Sequence, residues 1–521
     1  MMITSATVRN LLSAMLAALA LSAPVGARPQ PPDTRAVASS AYTVEIAGQP
    51  VFTEKFRDVN FAAWRFTGTV EVSVTAHEPV RDFNISPHSA GIAATAVGSI
   101  LRFKLDRPRH LVVTVNGGEK HFLFADPPDP GAPRPGDPGV FNVLDFGIDA
   151  TGARLETARL QQAIDRVAAA KGTLYFPPGV YLSGMLSLKS DLTLHLAEGA
   201  RLLASDNPAD FPVDEGFDEA NIRHDPALWV KAGGSDVAYR QFILVDGAHN
   251  VRVSGPGIIE GRGRILRPLK NIMFVVVRSS SDVEFDGVTL LDSPMYNVHL
   301  LASDHVTLRR VKIVSDQEVH NTDGIDPNSS RDVLVEDCFV FTGDDCIAIK
   351  TSGQNRLGGD AGRITVRNCV LTSRTSGIKL GTETFAGAHS DILFDDNDIL
   401  EADRAINLSS EDGHGFERIR LIGLRVERLL GRRVQFPVHI HVERRHPQGA
   451  AGRIHDVLLQ DISIAEEYSS PSRLDGLSPE HDVRGIRFVN YKVAGRVRLD
   501  ADDANVKIGP FVSDVTFTAQ P

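Results

Sequence analysis

The sequence predicts an all-β protein, in which a parallel β-helix with an N-terminal capping α-helix follows a small β-sandwich. Strand-like segments recur at similar intervals over the second half of the chain, which is the pattern of a solenoid. One helical stretch precedes these repeats, and a region of alternating apolar residues precedes that stretch. A chain of 521 residues is long enough for such a two-part architecture.

Residues 1–27 predict a secretory signal. Arg9 supplies a positive charge, residues 11–21 form an apolar run, and residues 25–27 (VGA) offer a small-residue cleavage site. The run is too short to span a bilayer core of about 30 Å, and no later stretch is long and apolar enough. We therefore expect a secreted or periplasmic protein without membrane insertion.

Residues 40–126 predict the sandwich domain. Apolar and polar residues alternate in segments such as 42–46, 70–74 and 111–115, and turn residues separate these segments. The pattern is typical of a small antiparallel β-sandwich. Residues 127–139 are dense in proline and predict a stiff linker that marks a domain boundary.

Residues 140–521 predict the β-helix. The helical stretch, from about Glu156 to Ala170, is expected to cap the open end of the solenoid. The strand repeats that follow are spaced from 23 residues (283 to 306) to 38 residues (419 to 457). They begin at Val251, Val283, Val306, Val333, Ile364, Ile392, Ile419 and Val457. A propeller suits these intervals poorly, because it needs four strands in each blade of about 40–45 residues.

Composition excludes some classes of partner and site. The net charge of −11 disfavours nucleic acid and anionic membrane surfaces, although local basic residues can still line a cleft for an acidic polymer. Cys338 and Cys369 occupy the same place in consecutive repeats, within disulfide reach. With Cys346 the count is odd, and we favour buried free thiols over a disulfide. None of the cysteine spacings resembles a zinc site.

Two acidic clusters lie among the repeats. Residues 321–326 (NTDGID) and 343–346 (GDDC) each follow a predicted strand, and Asp323 and Asp344 are 21 positions apart. This separation is close to one repeat, so the carboxylates are expected to lie side by side. Asp345 would point to the opposite face on a regular strand, but Gly343 permits a bend that turns both acids outward. Neighbouring carboxylates can divide into one protonated acid and one ionised base.

These motifs resemble a known family. Residues 293–299 (SPMYNVH), 321–326 and 343–350 (GDDCIAIK) are similar to glycoside hydrolase family 28, the polygalacturonase family, over roughly residues 140–470. Residues 145–147 (DFG) and 176–181 (FPPGVY) also resemble the start of the wider pectin-degrading superfamily of right-handed β-helices. The resemblance implies hydrolysis of α-linked galacturonic acid, or of a related pectic polysaccharide, with inversion at the anomeric carbon.

The resemblance also implies roles for individual residues. Asp344 would be the general acid that protonates the leaving oxygen, and Asp323 and Asp345 would hold and activate the attacking water. Inverting hydrolysis needs the acid and the base about 6.5–9.5 Å apart. The candidate substrate-binding residues are Asn321, Lys350, Lys379, Glu383 and Arg404. No metal and no organic cofactor is implied, and we expect a monomer whose partner is a polysaccharide or oligosaccharide.

The sequence departs from the family pattern at two places. Residues 375–377 (TSG) stand where the family has Gly-His-Gly, and the GHG at 413–415 comes a coil or more too late. Arg404 matches the arginine of the family's Arg-Ile-Lys motif, whereas Asn407 replaces its lysine. Lys379, from the adjacent coil, can supply the missing charge. These changes concern the substrate more than the reaction.

Three other functions remain open. An inverting β-helix hydrolase of α-glucans, similar to the dextranase family, also pairs a sandwich with a β-helix and uses three aspartates. A β-eliminating lyase is a second alternative, and its chemistry needs a calcium-bound or arginine base. A glycan-binding surface protein without turnover is the third. A charged cleft favours pectin, and a neutral cleft rich in aromatic residues favours glucan.

Overall fold

The structure is a computed structural model that describes residues 36–214, 239–353, 357–431, 435–445 and 449–520. The predicted signal at residues 1–27 lies outside the described residues. No helix in the described ranges is long and apolar enough to cross a membrane. The chain divides into two compact units, one formed by Val37–Asn84 and Ile92–Pro128 and the other by Ile85–Gly91 with the chain from Asp129 onward.

The N-terminal β domain contains a six-stranded and a five-stranded sheet. Alternation positions its core, as in Val70–Ala76, where Val70, Val72 and Val74 are buried and Glu71 is exposed. The six-stranded sheet has the order Val37–Ala38, Thr53–Phe56, Val59–Arg65, Lys120–Asp126, Arg109–Val115 and Phe83–Ser86. The five-stranded sheet has the order Gln49–Val51, Tyr42–Ile46, Val70–Ala76, Ile100–Leu105 and Ala94–Val97.

One strand pair of this domain differs from the antiparallel pattern. Val59–Arg65 and Lys120–Asp126 pair in parallel, with Phe61 opposite Phe122. Alternating polarity determines which face of a strand is buried and carries no information on strand direction, so the sequence gives no sign of this pairing.

The chain from residue 140 forms a right-handed parallel β-helix, as predicted. Most coils contribute one strand to each of three sheets, whereas the first coil has no strand in the third sheet and the last coil has only Val512–Thr518, in the first sheet. The strands of these sheets pair in parallel, except for an antiparallel pair near the end, Lys492–Val493 with Arg496–Val497. The first sheet consists of Val140–Asn142, Thr173–Phe176, Leu192–Leu196, His249–Ser254, Ser281–Asp286, Asp304–Arg309, Arg331–Glu336, Ala361–Arg367, His389–Asp395, Phe416–Ile422, Ile454–Gln460, Val483–Val489 and Val512–Thr518.

The other two sheets follow the same coil order. The second sheet consists of Thr151–Leu155, Gly179–Ser183, Ala200–Ala204, Ile258–Glu260, Thr289–Leu291, Lys312–Val314, Phe339–Thr342, Val370–Ser373, Asp398–Ala402, Arg425–Leu429, Ser463–Ile464, Lys492–Val493 and Arg496–Val497. The third sheet consists of Leu186–Leu188, Tyr239–Asp246, Asn271–Arg278, Val298–Leu301, Ile325–Asn328, Ile347–Thr351, Ser376–Thr384, Arg404–Ser410, Phe436–Val442, Ser472–Asp475 and Val506–Ile508.

The repeat starts predicted from the sequence are aligned with one another by the register of the first sheet. All eight predicted repeat starts, from Val251 to Val457, are cross-strand partners of one another on successive coils. Their side chains are at most 2% exposed, so they stack into one continuous inward ladder. This burial stabilises the solenoid, because each coil covers the apolar face of the next.

The predicted capping helix spans Thr157–Ala169 and buries Leu160, Ala163, Ile164 and Val167. The other helical segments among the described residues are short: Gly263–Leu266, and the 3₁₀ turns His88–Ala90, Val143–Phe146 and Pro208–Asp210. The three cysteines are free and buried, which confirms the preferred interpretation of apolar thiols.

Candidate active site

The third sheet aligns the acidic clusters. Ile325, Ile347 and Ile378 are partners on consecutive coils, and the residues two positions before them are Asp323, Asp345 and Ser376. The N–H of Gly324 donates to the carbonyl of Asp345 at 2.8 Å, and the N–H of Cys346 donates to that of Ser376 at 2.9 Å. Asp345, and not Asp344, is therefore the register partner of Asp323.

Asp344 and Asp345 have different exposure, although they are adjacent in the sequence. Asp345 is 3% exposed, whereas Asp344 is only partly buried. Gly343 is required here by close approach, because a Cβ atom would lie 2.8 Å from the carbonyl oxygens of Gln317 and Val319. The glycine thus lets this turn pack against the preceding coil.

Asp344 is held by its backbone and by one hydroxyl. Its carbonyl oxygen accepts hydrogen bonds from Thr342 Oγ1 at 2.6 Å and from Ser373 Oγ at 2.7 Å. Its Oδ1 atom lies 3.0 Å from both the N–H of Asp345 and Oγ1 of Thr375. Burial and the negative charge of Asp345 raise the pKa of Asp344.

Asp345 lies among positive charges and donors. Its Oδ2 is 3.2 Å from Nζ of Lys379, and its Oδ1 is 3.7 Å from Nη2 of Arg404. Oδ1 also accepts hydrogen bonds from Thr375 Oγ1 at 2.8 Å and from the N–H of Ser376 at 3.0 Å. Burial by itself would raise the pKa of Asp345, but the two cations and these hydrogen bonds outweigh it and lower the pKa.

Asp323 belongs to a buried ion cluster. Nζ of Lys350 lies 2.8 Å from Oδ2 of Asp323 and 2.9 Å from Oδ2 of Asp326, and it stands 4.1 Å from the centroid of the Tyr296 ring. Burial raises the pKa of Asp326 to about 7 and that of Asp323 well above its usual range. The pKa of Lys350 is also raised, because the two carboxyls outweigh the effect of its burial.

Two predicted substrate-binding residues contact other side chains. Oδ1 of Asn321 accepts a hydrogen bond from Nη2 of Arg267 at 2.6 Å. Glu383 lies 3.5 Å from Arg445, and its pKa is lowered to about 2, since Lys350 and Arg445 outweigh the opposing effect of burial. Asn321 and Glu383 are both partly exposed, so each retains access to solvent.

The second GHG motif contacts the end of the strand Ser376–Thr384. His414 is exposed, and its Nδ1 lies 3.0 Å from the carbonyl oxygen of Thr384. In the place of the family histidine, Ser376 contacts Asp345 through its backbone N–H rather than its side chain.

Sequence reasoning missed Thr375, Tyr296 and Asp326 as members of the site. Thr375 precedes the strand Ser376–Thr384, and its side chain reaches back one coil to both Asp344 and Asp345. The threonine beside the missing histidine was the available signal for Thr375, and Tyr296 and Asp326 lie within the motifs at 293–299 and 321–326 that carry the resemblance. The contact of Tyr296 with Lys350 depends on stacking between coils.

One group of side chains has the composition of a metal site. Within the ranges that the structure describes, ligand atoms of Glu411, His441 and Glu443 lie within 4.8 Å of one another. Nε2 of His441 is 3.3 Å from Oε1 of Glu411, which is a long hydrogen-bond distance. A hydrogen bond accounts for this contact without an ion.

Comparison with known proteins identifies the family. Residues 224–414 match the model of glycosyl hydrolases family 28, and residues 140–195 match that of rhamnogalacturonase A/epimerase, pectate lyase-like. A probable polygalacturonase of Vitis vinifera is 28% identical over 378 residues, which are 68% of this chain and 74% of that protein. An exo-poly-alpha-D-galacturonosidase of Dickeya chrysanthemi is 27% identical over 331 residues, and the match spans about half of its length (53%).

A solved structure supports the fold. The family 28 exopolygalacturonase of Yersinia enterocolitica superposes with a TM-score of 0.60 at 18% identity, over 87% of this chain and 94% of that one. This likeness shows a shared fold alone. The sequence matches make the chain a divergent member of glycosyl hydrolases family 28 and a glycosidase.

Proposed function

We propose that this family 28 glycosidase hydrolyses α-linked galacturonic acid, or a related pectic polysaccharide, with inversion at the anomeric carbon. The observation that carries the proposal is the different surroundings of two adjacent carboxyls: Asp345 lies 3.2 Å from Nζ of Lys379 and 3.7 Å from Nη2 of Arg404, whereas Asp344 lies beside the negative charge of Asp345. These surroundings lower the pKa of Asp345 and, together with burial, raise that of Asp344. Two neighbouring acids driven in opposite directions can act as a general acid and a base at the same pH.

Asp344 is the proposed general acid. A hydroxyl has a single proton, and Oγ1 of Thr375 lies within hydrogen-bond distance of Asp345 and of Asp344. If Thr375 donates to the ionised Asp345, it can only accept from Asp344, and a proton on Asp344 satisfies that contact. The partial exposure of Asp344 leaves its carboxyl accessible to a leaving oxygen.

Asp345 and Asp323 are the proposed water-holding pair, with Asp345 as the ionised base. Oδ1 of Asp323 is buried and has no hydrogen-bond partner among the described residues, so it is available as an acceptor for the attacking water. Lys350 is 5% exposed and pairs with Asp323 and Asp326, so we assign it to positioning Asp323 rather than to direct substrate contact.

An acidic substrate is favoured by the cations beside the acids. Lys379 and Arg404 are partly exposed and lie beside Asp345, where they can bind a sugar carboxylate. Asn321 and Glu383 are the remaining proposed sugar contacts. An α-glucan offers no carboxylate to these cations, and a binding protein without turnover leaves the opposite pKa shifts of Asp344 and Asp345 unexplained.

A product analysis tests the proposal. Purified protein is incubated with polygalacturonan, other pectic polymers and dextran, and the first-formed anomer is followed by NMR together with reducing ends. We expect new reducing ends from a galacturonan and initial release of the β-anomer from the α-linkage. Turnover of dextran alone, the retained anomer, or an unsaturated product that absorbs ultraviolet light would contradict the proposal.

The proposed setting is outside the cytoplasm. The signal pattern of residues 1–27 supports export to the periplasm or medium, and we propose a monomer that acts without a cofactor. Detection of the mature N-terminus in the culture medium or periplasm by mass spectrometry would test export.

A further inference from the structure

A column of hydrogen-bond donors extends from the candidate site along the third sheet. Lys379 pairs in register with Asn407, Asn407 with His439, His439 with Arg473, and Arg473 with Lys507. Five successive coils thus place a donor at the same outward position. Parallel strands are about 4.8 Å apart, so Arg473 lies roughly 14 Å along the sheet from Lys379.

These residues line one cavity. It has a volume of about 600 Å³, begins at Lys379 and Arg404 beside the acids, and extends to Arg473 and Lys507. This volume is within the range of sites that hold small ligands. Its far end lies beyond residue 414, where the match to the family 28 model ends.

The lining of the cavity also includes two carboxylates. Glu411 and Glu443 each stand four positions after a member of the donor column, Asn407 and His439, which are register partners. A uronic acid residue has a carboxylate and several hydroxyls, so cations and carboxylates that line the same cavity can bind its two kinds of polar group.

Arg473 is the donor best placed for a carboxylate at the far end. Its side chain is 55% exposed, and Nε lies 3.0 Å from Oδ2 of Asp475, which orients the guanidinium. A guanidinium has five N–H donors, so this pairing leaves others for a ligand. Lys507, one coil further, is exposed and adds a second positive charge.

We propose that Arg473 and Lys507 form a distal subsite for the carboxylate of a second uronic acid residue, more remote from the scissile bond than the sugar at Lys379 and Arg404. The inference rests on the proposed function. It specifies the substrate as a chain of uronic acid residues and not as a single acidic sugar. A pyranose linked through positions 1 and 4 is about as long as one strand spacing, so such a chain can follow the donor column.

Binding measurements test the subsite separately from catalysis. Hexagalacturonate and its methyl ester are titrated calorimetrically into the Asp344→Asn protein, with and without Arg473→Ala or Lys507→Ala. We expect Arg473→Ala to weaken hexagalacturonate binding at least about 10-fold, which is the effect of one charge-assisted contact, and to leave binding of the uncharged ester unchanged. Arg473→Lys should recover part of the affinity.

The matched controls are Arg484→Ala and Lys492→Ala, which remove exposed cations from the other two sheets. Unchanged binding in Arg473→Ala and Lys507→Ala, or equal losses for the acid and the ester, would overturn the subsite. Turnover of polygalacturonan and of other pectic polymers by the wild type is measured in parallel. Turnover without this charge dependence overturns the subsite alone, and charge-dependent binding without turnover of any pectic polymer overturns the proposed function alone. Absence of both hexagalacturonate binding and turnover overturns both.

Discussion

Nζ of Lys379 lies 3.2 Å from Oδ2 of Asp345, although the two residues belong to consecutive coils and are 34 positions apart in the sequence (345 to 379). The contact brings a positive charge to Asp345, whose pKa is lowered, whereas those of Asp323 and Asp344 are raised. Lys379 is also the register partner of Asn407, the residue that by resemblance replaces the family's lysine, so its charge stands one coil before that position.

Removal of that charge should move the pH profile. In Lys379→Met the pKa of Asp345 rises, because burial is opposed by fewer positive charges. Asp345 must be ionised to act as base, so the acidic limb of the kcat/KM profile should shift to higher pH. The measurement is kcat/KM on a galacturonan from pH 3 to 8, and an unshifted acidic limb would contradict the base assignment. Lys492→Met is the control.

Loss of the general acid should abolish most turnover. Asp344→Asn keeps the shape of the side chain but has no proton to deliver, so kcat should fall at least about 10²-fold. Asp514→Asn, an exposed site on the last strand, is the matched control. Circular dichroism and the melting temperature check that the variant is folded. A folded Asp344→Asn protein with wild-type kcat would refute the assignment.

The hydroxyl of Thr375 should set the pKa of Asp345. Its donated hydrogen bond lowers that pKa, so Thr375→Val should raise it. The acidic limb of the kcat profile is then expected to move to higher pH, with a loss of kcat of about 10-fold. Thr375→Ser keeps the hydroxyl and should restore the wild-type profile. A loss of activity without movement of the acidic limb would indicate a structural role only.

Lys350 should be required for stability. Lys350→Met leaves two carboxyls buried without their cation, a change that costs about 3–5 kcal/mol when a buried pair is broken. The pKa values of Asp323 and Asp326 are raised in the folded state. The contribution of these two carboxyls to the free energy of unfolding is therefore fully present below their pKa values in the unfolded chain, and it is lost as pH rises through their pKa values in the folded protein. The variant's melting temperature should therefore fall more at pH 7 than at pH 4.

The double variant Lys350→Met, Asp326→Asn supplies the control for this prediction. It removes one of the two unpaired carboxyls, so part of the loss at pH 7 should be recovered. Equal melting temperatures for Lys350→Met and the wild type at both pH values would show that the buried cluster does not contribute to stability.

The sequence by itself determined the architecture of the β-helix, because the strand register of a solenoid is visible in the sequence as a repeating apolar pattern. Val251 and the seven repeat starts after it stack in one ladder, and the capping helix begins and ends within a residue of its predicted bounds. The three candidate acids could also be named in advance, since turns after consecutive strands must lie on adjacent coils. Such features are local or periodic. A periodic apolar pattern can be recognised in the sequence even when the conformations of the turns are unknown.

The tertiary structure decided how those acids differ. Coils of unequal length put Asp345 rather than Asp344 in register with Asp323, and they bring Lys379, Arg404 and Thr375 to it from later coils. Burial then separates the pKa values of neighbouring carboxyls that are identical in the sequence. The pKa of each acid depends on burial and on nearby charges, and residues distant in the sequence supply both. These effects therefore arise only when the coils have stacked.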